Sequence, residues 1–129
     1  MATPPDVMVL CPAWPERAYL RAQLIEEGYE VVAIESWPMP RAYRQTGMTP
    51  RVLLIELQGL PSPRQTLDEV RVVLPPQRVL VVLAQGTLPA VEVERLGFNV
   101  IVRPATVAQI VAATAALLGR NTGPMYRSV

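Results

Sequence analysis

The sequence feature that most constrains the fold is a series of five short segments dominated by apolar residues, with helix-like segments between them. These segments are residues 7–11, 29–35, 52–57, 78–83 and 99–102. A short continuous apolar run is typical of a β-strand that is buried on both faces, and such strands form parallel sheets covered by helices. The pattern therefore predicts five strands in one parallel sheet.

The segments between the strands carry local signals for helices. A proline in the first turn and a glycine stop bound the first helix, and Thr106 is a predicted N-cap of the last helix. The helices are expected at about 15–28, 41–45, 62–74, 89–96 and 106–119. Strands that alternate with helices imply right-handed crossovers, and hence a three-layer, doubly wound, flavodoxin-like α/β fold. We expect one domain over residues 1–119 and a flexible tail over 120–129.

Composition excludes several classes of function. The chain has 129 residues, half of them apolar, which suits one domain with one sizeable core. Twelve basic and eleven acidic residues give a net charge of +1, so the basic footprint of a nucleic-acid binder is absent. With no histidine, serine–histidine and cysteine–histidine catalysis are excluded. The single cysteine, the absence of a signal peptide and the short apolar runs predict a cytoplasmic protein that does not cross a membrane.

The candidate site lies where the strands end. In open α/β sheets, ligands bind at the carboxyl ends of the central strands. The residues at those positions are Cys11 and Pro12, Glu56, Leu83, and Arg103 and Pro104. We therefore expect these side chains to meet at one edge of the sheet.

Two of these segments resemble the response-regulator receiver family, also called CheY-like. Residues 50–57 read Pro-Arg-Val-Leu-Leu-Ile-Glu-Leu, similar to the receiver pattern in which a proline precedes a strand that ends in the phosphoacceptor aspartate. Residues 100–104, Val-Ile-Val-Arg-Pro, resemble the fifth strand and its lysine–proline, with arginine in place of lysine. The resemblance in element order extends from about residue 7 to residue 118. It implies the CheY-like sheet order 2-1-3-4-5 and a role in bacterial two-component signalling.

The same comparison predicts a degenerate receiver. Receivers hold magnesium with an acidic pair after strand one and the acceptor aspartate, because this cation needs oxygen ligands. Cys11 and Pro12 stand in place of the pair, and Glu56 stands in place of the aspartate. Leu83 replaces the serine or threonine after strand four, and Val100 replaces the aromatic residue of strand five. We therefore expect no bound metal, no cofactor and no phosphorylation.

Two interpretations of Glu56 remain open from the sequence. Glu56 and Arg103 could form an ion pair that locks the domain in one state, because a planar guanidinium matches a carboxylate. Alternatively, Glu56 is a solvated residue at the end of a strand.

An enzymatic alternative rests on Cys11 and Arg17, which are separated by five residues between the first strand and the first helix. That spacing resembles the phosphate loop of low-molecular-weight tyrosine phosphatases and arsenate reductases. Pro12 and Pro15 remove two amide donors from this loop, and Glu16 adds negative charge where an anion would sit. The preferred expectation is that the protein is not an enzyme and has no catalytic residue.

Protein contact is then the expected function. The receiver resemblance implies an interaction face built from the helix at 89–96, the strand at 99–102 and the final helix. Its candidate residues are Leu88, Val91, Val93, Phe98 and Val100. Trp14 and Trp37, both expected in loops, form a second candidate patch or else cap the core. The sequence thus predicts a phosphorylation-independent regulatory module that forms a homodimer or contacts another protein, without binding nucleic acid or membrane directly.

Overall fold

A five-stranded parallel sheet forms the centre of the molecule. The computed structural model describes residues 3–38 and 49–121. The strands are β1 (Val7–Leu10), β2 (Val31–Ile34), β3 (Val52–Glu56), β4 (Val79–Leu83) and β5 (Asn99–Val102). Their order across the sheet is β2-β1-β3-β4-β5, and every neighbouring pair is parallel. The predicted fold class and sheet order are therefore confirmed.

The helices cover both faces of the sheet. They are α1 (Trp14–Glu26), α2 (Pro63–Val73), α3 (Ala90–Arg95) and α4 (Val107–Asn121), with a short 3-10 helix at Pro76–Arg78. The helix expected at 41–45 lies outside the described residues. None of the helices within the described ranges is long and apolar enough to cross a membrane.

Two apolar layers fill the space between the sheet and the helices. Side chains of successive strand residues point to opposite faces, so Met8 and Leu10 join one cluster whereas Val7 and Val9 join the other. The first cluster includes residues of α2 and α3, and the second includes residues of α1 and α4. This arrangement explains why β1, β3 and β4 are apolar along their whole length, apart from Glu56 at the end of β3.

The helix ends agree only partly with the local sequence signals. The amide of Gln109 donates to Thr106 Oγ1 at 3.1 Å and the amide of Thr106 donates to Gln109 Oε1 at 2.9 Å, so the predicted N-cap of α4 is confirmed. Ser62 precedes α2 as expected, but its side chain makes no capping hydrogen bond. Gly28 ends α1 with φ = +96°. Gly119, however, lies within α4, which continues to Asn121, because a glycine weakens a helix without being obliged to end it. Residues 122–129 of the expected tail lie outside the described residues.

Candidate functional site

The expected site residues do lie at the carboxyl edge of the sheet, but they do not all reach the same cleft. A cleft of about 550 Å³ opens there, between the loop after β1, the loop after β3 and the loop after β5. Its lining residues are Pro12, Ala13, Glu16, Glu56, Gln58, Gly59 and Arg103. Cys11 and Leu83 are buried in the core, and Pro104 is exposed outside the cleft. Of the predicted positions, the cleft therefore brings together Pro12, Glu56 and Arg103.

Glu56 and Arg103 form the ion pair that the sequence left open. Arg103 Nε donates to Glu56 Oε1 at 2.8 Å, and Arg103 Nη2 lies 2.7 Å from the same oxygen. The other carboxylate oxygen, Oε2, accepts the amide of Gln58 at 3.1 Å. Only 6% of the Glu56 side chain is exposed, so the interpretation as a solvated strand-end residue is wrong.

A third charged residue, Glu16, was not assigned to this site from the sequence. Its Oε1 accepts a hydrogen bond from Arg103 Nη2, so one guanidinium joins two carboxylates. Glu16 lies in the first turn of α1, where an acidic side chain also suits the helix dipole. Its position in the sequence could have indicated this role, because α1 begins shortly after the carboxyl end of β1 and its first turn therefore lies at the same edge of the sheet. We call Glu16, Arg103 and Glu56 the ion triad.

The surroundings of Arg103 stabilise its protonated, positively charged form. Burial alone would lower the pKa of the guanidinium, but the hydrogen bonds and the negative charges of Glu56 and Glu16 outweigh burial and raise that pKa above its usual value. The ion triad thus contains one fixed positive charge between two carboxylates.

Magnesium does not fit this arrangement. The guanidinium of Arg103 is hydrogen-bonded to both carboxylates, the place where a divalent cation would have to bind. Cys11 and Pro12, which follow β1, offer a buried thiol and a side chain without donor atoms. Within residues 3–38 and 49–121, no group of three or more His, Cys, Asp and Glu side chains is arranged to hold a metal ion.

The geometry around Cys11 does not favour the enzymatic alternative. Burial and the nearby carboxylates of Glu16 and Glu56 raise the pKa of the thiol to about 11, so it is protonated at neutral pH. Arg17 contacts the backbone of the loop after β1. Its Nη1 donates to the carbonyl oxygens of Cys11 at 2.7 Å and Pro12 at 3.3 Å, and therefore supports the loop instead of facing an anion.

The predicted interaction surface is only partly at the surface. Val93 and Phe98 are buried in the core: Val93 lies on the side of the short helix α3 that faces the sheet, and Phe98 directly precedes β5. This part of the expectation is wrong. Leu88 and Val100 are half-buried against the same cluster, whereas Val91 is 58% exposed.

The same region contains an exposed residue that was not predicted. Val102, in the edge strand β5, is 51% exposed. A depression of about 330 Å³ lies between α3, β5 and α4, and its lining includes Glu94, Asn99 and Ala113. We call Val91, Val102 and the lining of this depression the β5 face.

The two tryptophans differ in exposure. Trp14 is the first residue of α1 instead of a loop residue, and it is exposed. Trp37 is half-buried against the cluster on the side of α2 and α3.

The architecture and the cleft can now be compared with known proteins. No protein-family model matches the chain, and no curated protein matches its sequence. Among solved structures, a response regulator receiver domain protein from Clostridium thermocellum superposes with a TM-score of 0.72 over 92% of this chain and 98% of that one, at 17% sequence identity. The chain has the fold of a receiver domain.

Two longer proteins contain the same fold. NtrX from Brucella abortus matches with a TM-score of 0.73 at 19% identity, over 98% of this chain and 29% of NtrX. Full-length FixJ from B. japonicum matches with a TM-score of 0.71 at 19% identity, over 98% of this chain and 63% of FixJ. The receiver fold described here thus spans less than a third of NtrX and less than two thirds of FixJ. At these identities the similarity establishes the fold.

Proposed function

We propose that this protein is a phosphorylation-independent, receiver-like module of bacterial signal transduction, without enzymatic activity, that acts through protein contact. The observation that carries the proposal is the ion triad. The glutamate at the position of the receiver phosphoacceptor is already hydrogen-bonded to an internal cation.

The contacts of Glu56 argue against phosphoryl transfer. Its Oε1 accepts from Arg103 and its Oε2 accepts from the amide of Gln58, so both oxygens of the potential nucleophile are engaged. Phosphoryl transfer also needs a cation that offsets the charge of the transferring group. The only cation of the triad is bound to Glu56 and Glu16 instead.

The β5 face is the proposed contact surface. Val91 in α3 and Val102 in β5 expose apolar side chains, and β5 is an edge strand that pairs only with β4 among the described strands. The depression is lined by other residues of α3 and β5. Burial of such exposed apolar side chains under a partner lowers the free energy and so favours association. The partner is a second copy of the chain or another protein, and no nucleic acid or membrane is involved directly.

The experiment that tests phosphorylation independence follows the amide chemical shifts of labelled protein during addition of magnesium and then of beryllofluoride, a stable mimic of the phosphorylated aspartate. We expect the amides of Cys11, Glu56, Leu83 and Arg103 to remain unshifted. The amide of Asn99, at the opposite end of β5, is the internal control for non-specific salt effects. A phosphorylatable receiver titrated in parallel shows that the reagent is active.

Saturable shifts at the four reporter amides, with Asn99 unchanged, would mean that the cleft binds metal and phosphoryl groups. The proposed independence from phosphorylation would then be wrong.

A further inference from the structure

Arg103 connects three parts of the chain that are far apart in sequence. It follows β5, and its guanidinium binds Glu56 at the end of β3 and Glu16 in the first turn of α1. Both contacts converge on Nη2, so the Oε1 atoms of the two glutamates lie close together on one positive group. Drawing carboxylates from separate elements onto one positive centre is what a bound divalent cation does in proteins.

We propose that Arg103 is a built-in cation: it holds α1, β3 and the loop after β5 in one arrangement, and so makes that arrangement independent of any dissociable ion. This inference rests on the proposed function, because it gives the physical reason why the module needs neither metal nor phosphoryl group. Its regulatory consequence is that the β5 face has one constitutive state. Val102 immediately precedes Arg103, so the exposed end of β5 is attached directly to the triad.

The burial of the triad makes this role measurable. Only 23% of the Arg103 side chain, 26% of the Glu16 side chain and 6% of the Glu56 side chain are exposed. If Arg103 is removed, two neighbouring carboxylates remain without their counter-charge, one of them almost inaccessible to water. A folded state in that condition should acquire affinity for a divalent cation, and the unfolded chain should not. Ligand binding to the folded state alone raises the melting temperature.

The test compares thermal unfolding of Arg103→Ala and of the wild type in a chelator, in calcium and in magnesium. We expect Arg103→Ala to melt on the order of 10 °C below the wild type in chelator. Millimolar calcium or magnesium should recover several degrees of this loss in the variant and leave the wild type unchanged. Adding Glu16→Gln to Arg103→Ala should abolish the recovery, because one of the two ligands is then neutral.

Arg64→Ala is the matched control. Arg64 also lies near two carboxylates, with Asp68 at 3.7 Å and Glu92 at 3.8 Å, but all three side chains are more than half exposed. Its removal should change the melting temperature little and produce no response to divalent cations.

Three results would overturn the inference. They are an Arg103→Ala protein as stable as the wild type, a destabilised one that does not respond to cations, and a cation response that persists in the double variant with Glu16→Gln. If Arg103→Ala does not fold, Arg103→Gln is judged by the same criteria. A beryllofluoride response of the wild type contradicts the proposed function, whereas these melting experiments contradict only the role of Arg103, so the two failures are distinguishable.

Discussion

The two carboxylates of the ion triad should contribute unequally to stability. Glu56 accepts two contacts from Arg103 and one from the amide of Gln58, and its side chain is 6% exposed. Hydrogen bonds to charged groups contribute about 1.5–3 kcal/mol each, and an amide at this position keeps an acceptor oxygen but loses the charge. We therefore expect Glu56→Gln to lower the free energy of unfolding by about 2–3 kcal/mol.

Glu16→Gln should lower the free energy of unfolding by only about 0.5–1 kcal/mol, because the Glu16 side chain is 26% exposed and water can solvate Arg103 on that side. Urea unfolding at neutral pH and low salt measures both values, and unchanged m-values would show that the denatured state is the same. Glu92→Gln is the control, since this half-exposed glutamate lies 3.8 Å from Arg64 in an exposed pair. In the double variant the loss of unfolding free energy should differ from the sum of the two single losses, because both residues share Arg103.

The reasoning fails if Glu16→Gln costs as much as Glu56→Gln. It also fails if the free energy of unfolding of Glu56→Gln differs from that of the wild type by less than about 0.5 kcal/mol, the typical effect of a surface substitution. Either result would mean that burial does not decide the strength of these contacts.

Two further predictions concern the β5 face and Cys11. Val91→Glu and Val102→Glu should each weaken self-association or partner binding roughly tenfold, measured by sedimentation velocity, because they place charge in an apolar contact. Val72→Glu, which changes an 86% exposed valine on α2, should have no effect; an equal effect of all three would contradict the assignment of the face. Because burial raises the pKa of Cys11 from 9.0 to about 11, the stability that comes from keeping the thiol protonated is complete below pH 9 and is lost as the pH rises to 11. The free energy of unfolding should fall by up to about 2–3 kcal/mol more in the wild type than in Cys11→Ala over that interval, and parallel pH profiles would disprove the shift.

Much of the fold was predictable because its signals are local. A strand buried on both faces must be apolar throughout, and that requirement is visible in any short window of the sequence. This requirement applies to β1, β3 and β4, which are buried along their whole length. The half-buried edge strands β2 and β5 were also found, and β5 was predicted correctly at both ends. Thr106 was also recognised correctly, because a capping box involves residues only three positions apart.

The errors arose where one position admitted two local outcomes. Val93 and Phe98 were assigned to an interaction face because the receiver resemblance implies one in this region, yet both are buried in the core. Gly119 was expected to end a helix that in fact continues to Asn121. Packing against neighbouring elements decided the burial of Val93 and Phe98. At Gly119 the local signal allows a helix either to stop or to continue.

The sequence by itself determined the alternation of buried strands and helices, and it determined that Cys11 and Pro12 follow the first strand. Only the tertiary structure decided what Arg103 binds. Arg103 and Glu16 are 87 residues apart, and Arg103 and Glu56 are 47 apart. The fold brings the carboxyl ends of β3 and β5 and the amino end of α1 to one edge of the sheet, where burial makes the contacts strong. Charge pairing over such separations depends on distance in space, and no local pattern of residues encodes that distance.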